Sequence, residues 1–139
     1  MKLVSDVQIL VPWAWEKMGH PPGDWTPYGK VALGEVVNGD VKWAVIYDHY
    51  NVASIQMHIA INDVKFVSRQ AIAAVFKYPF IQLGVKKVLG MVNSENVAAL
   101  NFDMRLGFKL EAIVKDVYET GDMYLLSMTR EQCRWLRGK

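Results

Sequence analysis

Asn38-Gly39, set between two alternating apolar runs, constrains the fold of this chain more than any other feature. Both residues tolerate positive φ, which a two-residue hairpin turn needs. The flanking runs Val31–Val37 and 41–47 therefore read as two antiparallel strands. A third run, 53–61 (ASIQMHIAI), keeps the same period of two and completes a meander. The period then changes. Ile72, Val75, Phe76, Pro79, Phe80 and Leu83 recur at helical spacing behind Ser68, a residue suited to an N-cap. Pro79 is expected to kink or end that helix and Gly84 to stop it. A short strand over 86–92 follows, then a helix capped by Asn93 or Ser94 and ended by Gly107, then strands over 108–118 and 123–128 around the turn 119–122. A strand, a helix and a strand in the middle of the chain require a parallel pair there, so the sheet is mixed.

Ahead of the hairpin, Asp6 can cap a helix reaching Met18, with Pro12 limiting or kinking it. Trp13 and Trp15 in that helix read as core or interface packing. Residues 20–28, HPPGDWTPY, hold three of the five prolines and read as a loop. With 139 residues and 52% apolar composition, residues 1–139 are expected to build one domain around one core. No apolar run approaches the roughly 20 residues of a membrane helix, and the N-terminus lacks the pattern of a signal peptide. The single cysteine, Cys133, allows no internal disulfide and suits a reducing cytoplasm.

Charge is distributed unevenly. Residues 1–64 hold four Lys and seven Asp/Glu, whereas residues 65–115 hold eight Lys/Arg and three Asp/Glu. A basic middle beside an acidic N-terminal half suits an anionic ligand on one side and a cationic one on the other. A net charge of +2 without a basic-aromatic motif argues against nucleic-acid binding. His20, His49 and His58 lack the spacing of metal ligands, so no metal is expected.

The segment from Asn96 to Phe108, NVAALNFDMRLGF, resembles the N-x-x-A…L-G-F signature of the GNAT superfamily, the acyl-CoA-dependent N-acetyltransferases. Phe108-Lys-Leu-Glu-Ala112 is similar to its continuation in the ribosomal-protein N-acetyltransferase branch. Ser68-Arg69, Tyr78-Pro79-Phe80 and the terminal Glu131-Gln-Cys-Arg-Trp135 resemble small phage or prophage members. The resemblance spans about residues 31–130. It implies an α/β (α+β) fold: a mixed, mostly antiparallel sheet with helices on both faces and splayed central parallel strands. It also implies acetyl-CoA as cosubstrate and, as acceptor, a primary amine on a protein N-terminus, a lysine or a small molecule. The setting it implies is a bacterial or phage-infected host cytoplasm, with a homodimer as an option. A non-catalytic GNAT-like interaction module, with the aromatics of residues 13–28 as its interface, is the alternative.

The same resemblance assigns a site. The pantetheine arm would pair with the strand carrying Ile59, Ala60 and Ile61. The pyrophosphate would sit on the helix N-terminus formed by Val67, Ser68, Arg69 and Gln70, where unpaired N–H groups and the helix dipole favour an anion. Asn93, Asn96 and Phe102 complete the cofactor set. Two departures stand out. Residues 64–71, VKFVSRQA, lack the family's glycines, leaving the Ser68 hydroxyl and the Arg69 and Lys65 charges to hold phosphate. The position where many members carry a proton-donating Tyr is Asp103, a poor acid if ionised at neutral pH. His58, on the strand expected beside the thioester, is the residue suited to take a proton from an ammonium. Alternation sends His58 and Ala60 to one face and Met57 and Ile59 to the other, so His58 acts only if its face opens into the acceptor cleft. Tyr124, Glu35 and Asp48 are further candidates, and Arg105, Lys109, Lys86 and Lys87 are surface charges within possible range of the 3′-phosphate.

Overall fold

The computed structural model describes residues 1–21 and 23–137, so Pro22 of the proline-rich loop and the end of the basic tail lie outside the described residues. Among these, one seven-stranded sheet runs β1-β2-β3-β4-β5-β7-β6. Its strands are β1 (Leu3–Val4), β2 (Val31–Val37), β3 (Asp40–Asp48), β4 (Ser54–Ile61), β5 (Lys87–Asn93), β6 (Lys109–Tyr118) and β7 (Gly121–Thr129). Every neighbouring pair is antiparallel except β4 and β5. Asn38 and Gly39 adopt φ of 53° and 84°, as a turn whose twist matches the strands demands.

Three helices cover the two faces: α1 (Val7–Lys17), α2 (Arg69–Lys77) and α3 (Val97–Leu106). On one face α1 buries Leu10, Val11 and Ala14 against Ala32, Ala44, Ile46 and Ala60. Gly34 makes this approach possible: a Cβ there would stand 2.7 Å from the Trp43 carbonyl oxygen and 2.9 Å from Leu10 Cδ2. On the other face Ala71, Val75 and Phe76 of α2 and Leu106 of α3 pack on Val45, Tyr47, Ile55 and Met57. The expected mixed sheet with helices on both faces is what forms.

Pro79 ends the regular part of α2, and the chain continues as a wider π-type turn, Tyr78–Leu83, capped by left-handed Gly84. A proline at 79 cannot donate to the Val75 carbonyl four residues back. The buried Tyr47 hydroxyl donates to that oxygen instead, at 2.6 Å. The kink and its compensation are thus built from one residue on each of two packed elements.

Three expectations are corrected, and one strand is added. Leu3–Val4 forms an edge strand that its two residues do not announce. α3 begins later than expected, because Asn93 and Ser94 are engaged elsewhere: Asn93 Oδ1 accepts from Glu95 N–H and Ser94 Oγ from Asp122 N–H. Asn96 is the cap, accepting from Ala99 N–H. Phe108 stays outside β6 because its N–H bonds back to the Asp103 carbonyl at the end of α3. The last hairpin turns on Glu119 and Thr120 alone, since Gly121 already pairs with Tyr118.

Candidate functional site

β4 and β5 pair in parallel only over Ser54, Ile55 and Gln56 against Lys87, Val88 and Leu89. Beyond that they separate. The backbone direction along β4 follows from its hydrogen bonds. The Ala53 carbonyl accepts from Lys86 N–H on the β5 side, while Asn62 N–H donates to the Lys42 carbonyl on the β3 side. Alternation then turns the backbone groups of Met57, Ile59 and Ile61 toward β5 and those of His58 and Ala60 toward β3. The Met57 N–H still bonds the Leu89 carbonyl in the last pair of the ladder; beyond it Ile59 and Ile61 have no strand to pair with, which makes this an edge inside the sheet, open to an added extended chain.

A cleft of about 710 Å³ occupies the gap. Its wall includes Met57 to Ile61 from β4, Gly90 to Asn93 from β5, and Asn96, Phe102 and Asp103 from the turn and helix that follow. Residues 17–20 at the end of α1 line it too, so the opening passes from the α3 face of the sheet to the α1 face. The structure thus brings His58, Ile59, Ala60, Ile61, Asn93, Asn96 and Phe102 to one cleft.

Val67, Ser68, Arg69 and Gln70 do not line it. Of these only Val67 borders a smaller apolar cavity of about 30 Å³, whose wall shares Ile59, Ile61 and Phe102 with the cleft. Ser68 caps α2 by accepting from Ala71 N–H at 3.1 Å. The N–H groups of Arg69 and Gln70 occupy the first turn, where helix geometry provides no acceptor. The Arg69 guanidinium stands over the Trp135 ring, 5.6 Å from its centroid.

His58 sits on the α1 face, half-buried, with Nε2 2.8 Å from Asp48 Oδ1. A carboxylate only accepts, so the bond fixes the proton on Nε2 and leaves Nδ1 as the acceptor. Asp48 is buried and also meets His49 Nδ1 at 3.0 Å. Burial opposes its ionisation, but the hydrogen bonds from His58 and His49 outweigh it and hold the carboxyl below its usual range. Trp15 meets the His58 ring edge-on and stacks on His20, both at 5.4 Å between centroids. The face bearing His58 does open into the cleft, as action by His58 requires.

Asp103 departs from what its residue type suggests. Burial alone pushes its carboxyl up to about 7, so near neutrality a substantial fraction of it keeps its proton. Glu35, by contrast, is occupied: it is buried and accepts from Trp43 Nε1 at 3.0 Å. Lys87 pairs with Glu111 at 3.0 Å. The aromatics of residues 13–28 are mostly packed rather than presented: Trp13, Trp15 and Trp25 lie against the α1 core, and only Tyr28 is fully outside. The end of α1 and Tyr118 are cleft residues that the sequence does not announce, since no local pattern places a helix C-terminus against a distant sheet gap.

No family model matches the sequence, and no curated protein does. Among solved structures, a mutant form of the spermidine N-acetyltransferase SpeG from Vibrio cholerae superposes with a TM-score of 0.76. The identity is 14%, over 99% of this chain and 98% of that one. A second SpeG mutant gives 0.66 at 18% identity, over 80% of this chain and 69% of that one. The N-acetyltransferase PseH from Campylobacter jejuni, in complex with acetyl coenzyme A, gives 0.57 at 15%, over 74% and 70%. These identities are low, and the likeness lies in the fold. The chain has the GNAT acetyltransferase fold. Within the GNAT fold, the gap between β4 and β5 is the feature that sets this sheet apart from a continuous one, and the polar residues described above collect around it. Among the described residues no group of three metal-ligating side chains occurs, and no helix is long and apolar enough to cross a membrane.

Proposed function

We propose that the protein is an acyl-CoA-dependent N-acetyltransferase that moves an acetyl group from acetyl-CoA to a primary amine. One observation carries this reading: the inner edge of β4 opens unpaired onto the 710 Å³ cleft. An extended pantetheine arm, with two amides, can pair there as an added strand. The first turn of α2 lies next to the same wall and offers two free N–H groups and the Arg69 charge to a pyrophosphate, without the family's glycines.

The residues divide the work by face. On the α1 side, His58 Nδ1 takes a proton from the incoming ammonium, directly or through water, while Asp48 holds the ring and stabilises the imidazolium. The freed amine attacks the thioester carbonyl. The backbone N–H of Ile59, which faces the gap, stabilises the developing oxyanion. Cleft walls on both faces hold donor and acceptor in line, which lowers the entropic part of the barrier.

The acceptor is a protein N-terminus, a lysine or a small polyamine; the acidic N-terminal half favours a cation. SpeG acts on spermidine, and one SpeG structure is dodecameric. Here a homodimer through β6 is supported by its open edge and the exposed Leu110, Ile113, Val114 and Val117. The narrower affinity to phage-type members near the ribosomal-protein branch rests on the sequence segments that suggested it, and the buried single Cys133 suits a cytoplasmic setting. The test is release of CoA thiol from acetyl-CoA with spermidine, a lysine amide and a peptide with a free N-terminus. Turnover with at least one is expected. Tight acetyl-CoA binding without turnover on any would favour the non-catalytic interaction module.

A further inference from the structure

We infer that Trp135 is a positioning residue for the donor's pyrophosphate: its indole fixes the Arg69 guanidinium at the first turn of α2. The inference rests on the transferase reading above and adds a residue to it. Residues 64–71 carry no glycine, so the backbone there cannot close on a phosphate as a glycine loop does. More of the binding then falls to a side chain. An arginine is long and rich in rotamers, so whatever holds its head decides how much it contributes.

Trp135 lies in a single helical turn, Arg134–Leu136, beyond β7. This segment is anchored on two sides. Cys133, just before it, is buried in the core that also holds Ala71, Val75 and Phe76 of α2. On the other side, α3 ends in carbonyls that helix geometry leaves without a donor. The Trp135 indole Nε1–H donates to the Leu106 carbonyl at 2.8 Å, and the Arg134 guanidinium donates to the Arg105 carbonyl. The indole is thus pinned to the end of α3. The same ring reaches the start of α2: the Arg69 guanidinium stands over it at 5.6 Å from the centroid, and that of Arg134 at 4.5 Å. Both distances are within cation–π range.

Among the described residues, neither guanidinium has a carboxylate partner. Two like charges on one ring repel, and an anion beside them relieves that repulsion. Stacking engages the flat face of the Arg69 guanidinium and leaves its N–H fork free for phosphate oxygens. Trp135 therefore acts by holding Arg69 and makes no contact with the donor itself.

Calorimetry tests this with two ligands: acetyl-CoA, and S-acetylpantetheine measured by displacement. The second keeps the thioester and both amides and lacks the phosphates. Trp135→Leu should weaken acetyl-CoA binding about fivefold, the loss of one exposed cation–π contact. Its affinity for S-acetylpantetheine should match the parent's. Arg69→Ala should weaken acetyl-CoA about tenfold, as loss of a hydrogen bond to a charged group does. In that background Trp135→Leu should cost nothing more, because the two residues act as one unit. Trp135→Phe keeps an aromatic face and should recover most of the loss. Arg69→Lys, a change at an exposed position, keeps the charge without the planar fork and should lose most of what Arg69→Ala loses. If Trp135→Leu does not fold, Arg69→Lys decides: parental acetyl-CoA affinity in that variant overturns the inference. Equal losses for both ligands in Trp135→Leu, or a full further loss in the Arg69→Ala background, also overturn it, since Trp135 would then only brace the fold. Those outcomes leave the transferase standing. Absence of acetyl-CoA binding by the parent overturns both.

Discussion

His58 and Asp48 sit on neighbouring strands two register positions apart, since Ile46 faces His58 and Asp48 faces Gln56. Their contact is a diagonal one across β3 and β4, which a rigid sheet holds with little freedom. Replacing His58 by Ala should lower the rate about 10²-fold at neutral pH while leaving acetyl-CoA affinity unchanged, measured by thiol release and calorimetry. Asp48→Asn should slow turnover less and alter its pH profile, because it disturbs the ring's tautomer without removing the ring. Asp48 also carries a stability signature. Its carboxyl is depressed in the folded state, so it stabilises the fold above the unfolded carboxyl pKa, and that contribution fades as pH falls through the folded value. Thermal melts of Asp48→Asn should show a flatter acid limb than the parent. At this scale the sequence disclosed residue types but not surroundings. His58 was visible as the histidine on the right strand. Asp103 read as a poor acid because burial, which decides its protonation, depends on how α3 packs.

Elements were legible where their cause is local. Asn38-Gly39 specified its hairpin, Ser68 its cap, and Gly107, at φ 117°, the end of α3. They were misread where the cause lies across the fold. Asn93 and Ser94 are good caps that tertiary bonds to Glu95 and Asp122 take for other duties. The turn at Pro79 is the sharper case: its position follows from proline chemistry, but its tolerance depends on Tyr47, over thirty residues earlier on β3. Burial, with the nearby Tyr78, pushes the Tyr47 hydroxyl pKa far up, so it remains a donor through any working pH. Tyr47→Phe keeps the ring and its edge-on contact with Tyr78, and leaves the Val75 carbonyl buried without its donor. The expected cost is about 1–3 kcal/mol by denaturant unfolding. A loss near zero would mean that water replaces the hydroxyl.

At the scale of the whole molecule, one irregularity organises the rest. A sheet normally satisfies its inner backbone by continuous pairing. Here the parallel pair stops after three residues, and the unpaired stretch of β4 becomes useful only if something else pairs with it. The order of elements made a parallel pair legible in the sequence, while the splay came only from a family resemblance, because no side chain in 57–61 encodes the absence of a partner. The measurement that bears most directly on this is amide hydrogen exchange with and without saturating acetyl-CoA. If the pantetheine arm pairs with the inner edge of β4, exchange at Ile59 and Ile61 should slow on binding, while the outer edge at β6 stays as fast as before. Unchanged exchange at those two amides in the presence of saturating acetyl-CoA would contradict the account.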